Sequence, residues 1–158
     1  MKLENMYQEI ILDHYKRPHG KGLAEQFDAE VHHVNPTCGD EITLRVSRGA
    51  DGKIVVSYDN MGCSISQASA SIMFDQINNM DFESGEAAVE HLIAMLQRTV
   101  EADEDILGDG IALAGVAQYP ARVKCALLAW MAWKDAAIQA GPDSNESKIS
   151  TESNKEQN

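Results

Sequence analysis

From Leu3 to Tyr15, Leu3, Met6, Tyr7, Ile10 and Ile11 recur at helical spacing against Glu4, Gln8, Glu9 and Asp13, which predicts an amphipathic helix. Lys16-Arg17-Pro18-His19-Gly20 ends it, because basic residues suit the negative end of the helix dipole and Pro18 turns Arg17 away from helical geometry. From Phe27 the period falls to two: Phe27, Ala29, Val31 and His33 face one way, Asp28, Glu30 and His32 the other. That strand runs into Asn35-Pro36-Thr37-Cys38-Gly39-Asp40. Ile42, Leu44 and Val46 then alternate with Thr43, Arg45 and Ser47, Gly49-Ala50-Asp51-Gly52 supplies a turn, and Ile54 to Tyr58 resumes the extended pattern. The expectation is a three-stranded antiparallel sheet, which must be covered on one face by helices to bury its apolar side.

The rest of the chain supplies those helices. Gly62-Cys63-Ser64 opens one rich in small residues from Ala68 to Ser71, with Ile65, Ile72 and Ile77 as larger contacts and Asn78-Asn79 as its stop. Ser84 is the expected cap of the next, whose stripe is Ala88, Leu92, Met95 and Leu96. Glu101 to Gly110 is acidic and contains glycine; without the ligand spacing of a calcium loop it reads as an exposed, solvated loop. Pro120 starts the last helix, through Val123, Leu127, Trp130, Met131 and Trp133 to Gly141-Pro142. The tryptophans read as core. The fold class is therefore α+β, with one domain over residues 1–140 and a disordered polar tail over 141–158.

Composition narrows the function. A formal net charge of −12 over 158 residues disfavours sequence-independent nucleic-acid binding, which needs cations to displace counterions, and equally disfavours an anionic membrane surface. No apolar run approaches a membrane span and the first helix is too acidic for a signal peptide, so a cytoplasmic protein is expected. Three cysteines, an odd number, point away from a disulfide framework and toward metal or redox chemistry.

The candidate chemistry centres on Cys38-Gly39-Asp40, a thiol and a carboxylate two positions apart in a loop that Pro36 stiffens and Gly39 lets turn. Cys63 and Cys125 fall at or near expected helix starts, where free amides and the dipole favour thiolates. Three thiolates and one carboxylate suit zinc or an iron–sulfur cluster and not magnesium or calcium. Any one of these cysteines alone reads as core filler before ligand, and only their combination points to a metal; a closed zinc site of purely structural role is a further reading. The histidines His14, His19, His32, His33 and His91 show no ligand spacing with a cysteine. Arg122 and Lys124, beside Cys125, read equally as solvated charges or as contacts to a partner.

Four stretches together resemble the SufU-type sulfur-transfer branch of the IscU and NifU amino-terminal family: Met6 to Tyr15, Asn35 to Asp40, Gly62 to Ser66, and Tyr119 to Ala126. They cover most of the chain to about Ala140. Two features set the chain apart from the scaffold branch: Lys124 precedes the third cysteine where scaffolds carry a histidine, and a Leu-Pro-Pro-Val-Lys motif is missing. The segment from about Glu101 to Gln118 resembles the insertion of the SufU branch. The resemblance implies a zinc ion held by Cys38, Asp40, Cys63 and Cys125, with Cys38 as sulfur acceptor. It also implies a SufS-type cysteine desulfurase as partner and further iron–sulfur assembly proteins downstream. On that reading a partner imidazole would replace Cys38 at the metal on docking. The alternative it carries is a scaffold building a [2Fe-2S] cluster on the same residues.

Overall fold

The period-two segments pair as their alternation requires. The computed structural model describes residues 3–141; the tail beyond Gly141, expected to be disordered, lies outside the described residues. In order come α1 (Leu3–Lys16), β1 (Ala29–Asn35), β2 (Asp40–Arg48), β3 (Ile54–Met61), α2 (Ser64–Ile77), α3 (Phe82–Leu96), the short α4 (Glu104–Leu107), a 3₁₀ helix (Gly108–Gln118) and α5 (Pro120–Ala140). The strands form an antiparallel sheet in the order β1-β2-β3. Val31, Leu44 and Tyr58 lie side by side across it, as do Ala29, Val46 and Val56, and all six are buried. This is the α+β architecture that the pattern implies, with helices over the apolar face.

Helix α5 crosses that face. Trp130 and Trp133 are fully buried, and Trp130 Nε1 donates to Ser69 Oγ at 2.8 Å while Ser69 Oγ donates to the Ala126 carbonyl at 2.6 Å. The small residues of α2 allow this closeness, since Ala68, Ser69, Ala70 and Ser71 are all buried against neighbouring helices. Among the described residues no helix is long and apolar enough to cross a membrane.

Three local expectations are corrected. The first strand begins at Ala29, because Phe27 is exposed and instead holds the Arg45 guanidinium over its ring at 4.5 Å. The cap of α3 is Asp81, whose carboxylate accepts the Ser84 amide at 2.7 Å, so Ser84 lies inside the first turn. Glu101–Gly110 is largely exposed, as expected, but it is not an irregular loop: Asp103 caps α4, and Leu107 and Gly110 are buried where α4 and the 3₁₀ helix meet. Leu113 and Val116 extend that buried side. The acidic residues face outward from a segment whose apolar residues come mostly after Gly110.

Candidate metal centre

The centre is built at one end of the sheet. Asn35 and Asp40 are the last residue of β1 and the first of β2 and face each other in register. The alternation that buries Val31 and Ile42 therefore also turns Asn35 and Asp40 inward, and both are buried despite being polar. Buried polar groups need partners. Asp40 Oδ1 accepts the Cys63 backbone N–H at 2.8 Å, and Asn35 Nδ2 lies 3.6 Å from Cys125 Sγ as its donor. Between them Cys38 is half-buried on the connecting turn, its amide donating to the Asn35 carbonyl at 3.2 Å, and Gly39 follows at φ 71°.

Gly62, between β3 and α2, is indispensable to this packing. A Cβ there would clash with Asp40 Oδ1, and its φ of 146° is one that other residues rarely adopt. The next residue, Cys63, is the N-cap of α2, with Sγ accepting the Ser66 amide at 3.5 Å and standing 4.0 Å from Asp40 Oδ2.

Cys125 differs from expectation. It lies inside α5, more than a turn beyond Pro120, and is fully buried, so no free helix-end amides support its thiolate. Burial pushes its thiol well above the usual range, helped by hydrogen bonds with Asp40, Cys38 and Cys63. Positive charge reaches the cluster from Arg122 instead. The Cys63 charge, with the Cys125 sulfur as a hydrogen-bond acceptor, raises the Arg122 pKa. Lys124 points elsewhere, lining a shallow groove with Val34, Pro36, Leu127 and Met131.

Three of the four residues singled out from the sequence converge. Cys38, Asp40 and Cys125 offer ligand atoms that all lie within 4.8 Å of one another, and could hold a metal ion. Cys63 falls outside that mutual set yet touches it through Asp40. The contributions of Asn35 and Gly62 were not anticipated. Extending the strand alternation by one residue at each end would have turned Asn35 inward; nothing local marks Gly62.

Comparison with known proteins bears on the family and the fold. A family model described as "NifU-like N terminal domain" matches residues 6–126. A protein of Bacillus subtilis (strain 168) named zinc-dependent sulfurtransferase SufU is 42% identical over 132 residues, covering 82% of this chain and 88% of that protein. A protein of Streptococcus pyogenes serotype M1 named iron-sulfur cluster assembly scaffold protein IscU is 38% identical over 135 residues, covering 85% and 84%. The crystal structure of the amino-terminal part of a nitrogen-fixing NifU-like protein from Brucella abortus superposes with a TM-score of 0.80, over 90% of this chain and 99% of that one. At 23% identity that likeness speaks for the fold alone.

Proposed function

This chain belongs to the NifU-like N-terminal domain family, and from that membership we propose that it works in iron–sulfur cluster assembly as a zinc-dependent sulfur acceptor. Its donor would be a cysteine desulfurase and its acceptor atom Cys38 Sγ. The observation that carries this reading is the asymmetry of the cluster: Cys125 is fixed in α5 and Cys63 caps α2, whereas Cys38 rides a half-buried turn beside Gly39.

The donor set fits zinc, with Cys38, Asp40, Cys63 and Cys125 as ligands, and a bound zinc would keep the thiols deprotonated, the buried Cys125 among them. Everything else falls to the chain. Asp40, held by the Cys63 amide, keeps the β1–β2 end closed, and Gly39 provides the backbone freedom to turn Cys38 outward. The Cys38 thiolate attacks the sulfane sulfur of the desulfurase persulfide. A new S–S bond forms on Cys38, the S–S bond on the desulfurase breaks, and its cysteine leaves as a thiolate with the electron pair. No external oxidant or reductant enters. Arg122, near the cluster, favours anionic sulfur there.

The similarity to a protein named as a scaffold supports a second reading, in which the same residues carry a [2Fe-2S] cluster. One experiment separates the two: desulfurase turnover under reductant with zinc-loaded, metal-stripped and iron-loaded chain. Acceleration by the zinc form alone is the expected result. Suppression by zinc, with visible absorption and matched iron and sulfide in the iron-loaded form, would establish the scaffold.

A further inference from the structure

A second group of ligand-bearing side chains lies where α1, its following loop, α2 and the 3₁₀ helix meet. One ring nitrogen each of His14 and His19 and one carboxylate oxygen of Asp75 lie within 4.8 Å of one another. The two rings sit 4.7 Å apart between centroids, and each faces a carboxylate: His14 Nε2 is 2.8 Å from Asp109 Oδ2, and His19 Nδ1 is 2.6 Å from Asp75 Oδ2. We propose that His14, His19 and Asp75 form a second site for a divalent first-row transition-metal ion, separate from the cysteines, with Asp109 beside it on His14.

The surroundings are built as such sites are. Ser71 Oγ stands 2.7 Å from His14 Nδ1 and accepts the His19 backbone N–H at 2.8 Å, so one hydroxyl orients the buried ring and fixes the loop carrying the second. A fixed polar partner on a ring nitrogen is what sets the orientation of an imidazole that could ligate. The loop is further tied by the Tyr58 hydroxyl, which donates to the His19 carbonyl at 2.7 Å, and by Gly20 at φ 72°, where a Cβ would strike the Phe74 ring. His14 is only 2% exposed, while His19 and Asp75 are open enough for an ion to enter. A lone buried histidine is satisfied by Ser71 and Asp109; it does not require a second imidazole and a second carboxylate beside it. Two imidazoles with carboxylates and no sulfur suit manganese, iron(II), cobalt or zinc, whereas a thiolate set ranks manganese low. The proposal is independent of the sulfur-transfer reading.

Manganese is therefore the probe. The full chain, stripped with a chelator, is titrated with MnCl₂ while the free-ion electron paramagnetic resonance signal is followed, and substoichiometric Mn²⁺ is used to broaden the histidine ring resonances in NMR. One ion per chain is expected, with the His14 ring resonances broadened. The pair His19→Ala with Asp75→Asn, both on the surface, should weaken binding by at least about tenfold and abolish that broadening. Cys38→Ser should change neither. Failure of the wild-type chain to take up Mn²⁺, or undiminished uptake by the double variant, would overturn the site and assign any binding to scattered surface carboxylates.

Discussion

Cys38 and Cys125 reach the same cluster from opposite sides, and their supports have little in common. Cys125 is fully buried inside a 21-residue helix. Cys38 is half-buried on a turn held by one amide hydrogen bond at 3.2 Å, next to a glycine in the left-handed region. The difference teaches that one donor set can combine a fixed floor with a movable rim. A site meant only to staple a fold gains nothing from a loose ligand, whereas a site that must release one sulfur to a partner requires it.

The strongest test replaces each cysteine in turn. With Cys38 as the proposed sulfur acceptor, Cys38→Ala should cut sulfur acceptance at least about a thousandfold, read by mass spectrometry of the persulfidated chain, because the proposed nucleophile is removed. In the metal-free chain the same change should alter stability, measured by urea unfolding, by no more than about 0.5 kcal/mol. Cys125→Ala should cost about 1–2 kcal/mol in the same metal-free chain, through the cavity it leaves between α5 and the β1–β2 end of the sheet. A larger stability loss for Cys38→Ala than for Cys125→Ala would erase the distinction between floor and rim.

Two glycines extend the contrast to the backbone. At Gly62 an added methyl meets both the Asp40 carboxylate and its Cα, at a φ of 146°. Gly62→Ala should destabilise the chain by about 2–4 kcal/mol and weaken zinc in chelator competition, since Asp40 must move. At Gly39 nothing lies within 4 Å of the added methyl, and only the φ of 71° is penalised. Gly39→Ala should cost about 1 kcal/mol and slow sulfur acceptance more than it weakens zinc, because it stiffens the turn and leaves the floor untouched. Equal effects of both variants on zinc affinity would place Gly39 in the floor.

The same residues mark the boundary between what is legible in the sequence and what is not. The sheet is legible because alternation with period two at Val31, Leu44 and Tyr58 states which face is buried. The ligand candidates are legible because an odd number of cysteines cannot all pair as disulfides, and a thiol two positions from a carboxylate can grip one ion. What escapes depends on distant segments meeting. Cys125 lies close to a helix start in sequence, yet only the packing of α5 on the sheet shows that it is buried beyond reach of free amides. His14 looks like a helix-end residue and is buried because the 3₁₀ helix, expected as part of a solvated loop and an insertion, delivers Asp109 to it. The role of Gly62 is a clash with Asp40 on another strand, which no local pattern encodes.

The smallest effect concerns Arg122, which sharpens the comparison electrostatically. It is exposed, so water screens it, but the Cys63 charge first and the Cys125 sulfur as a hydrogen-bond acceptor raise its pKa, and Cys38 is not among the causes. Arg122→Gln should therefore slow iodoacetamide alkylation of Cys63 in the metal-free chain by about twofold to fivefold, the range for a screened charge pair. Cys125 should stay unreactive in both chains because it is buried, and Cys38 should react at an unchanged rate. Site-resolved mass spectrometry of the alkylated chain separates the three thiols. Should Cys38 slow as much as Cys63, Arg122 would be acting on the cluster as a whole, and the separation of rim from floor would hold for the backbone but not for the charge.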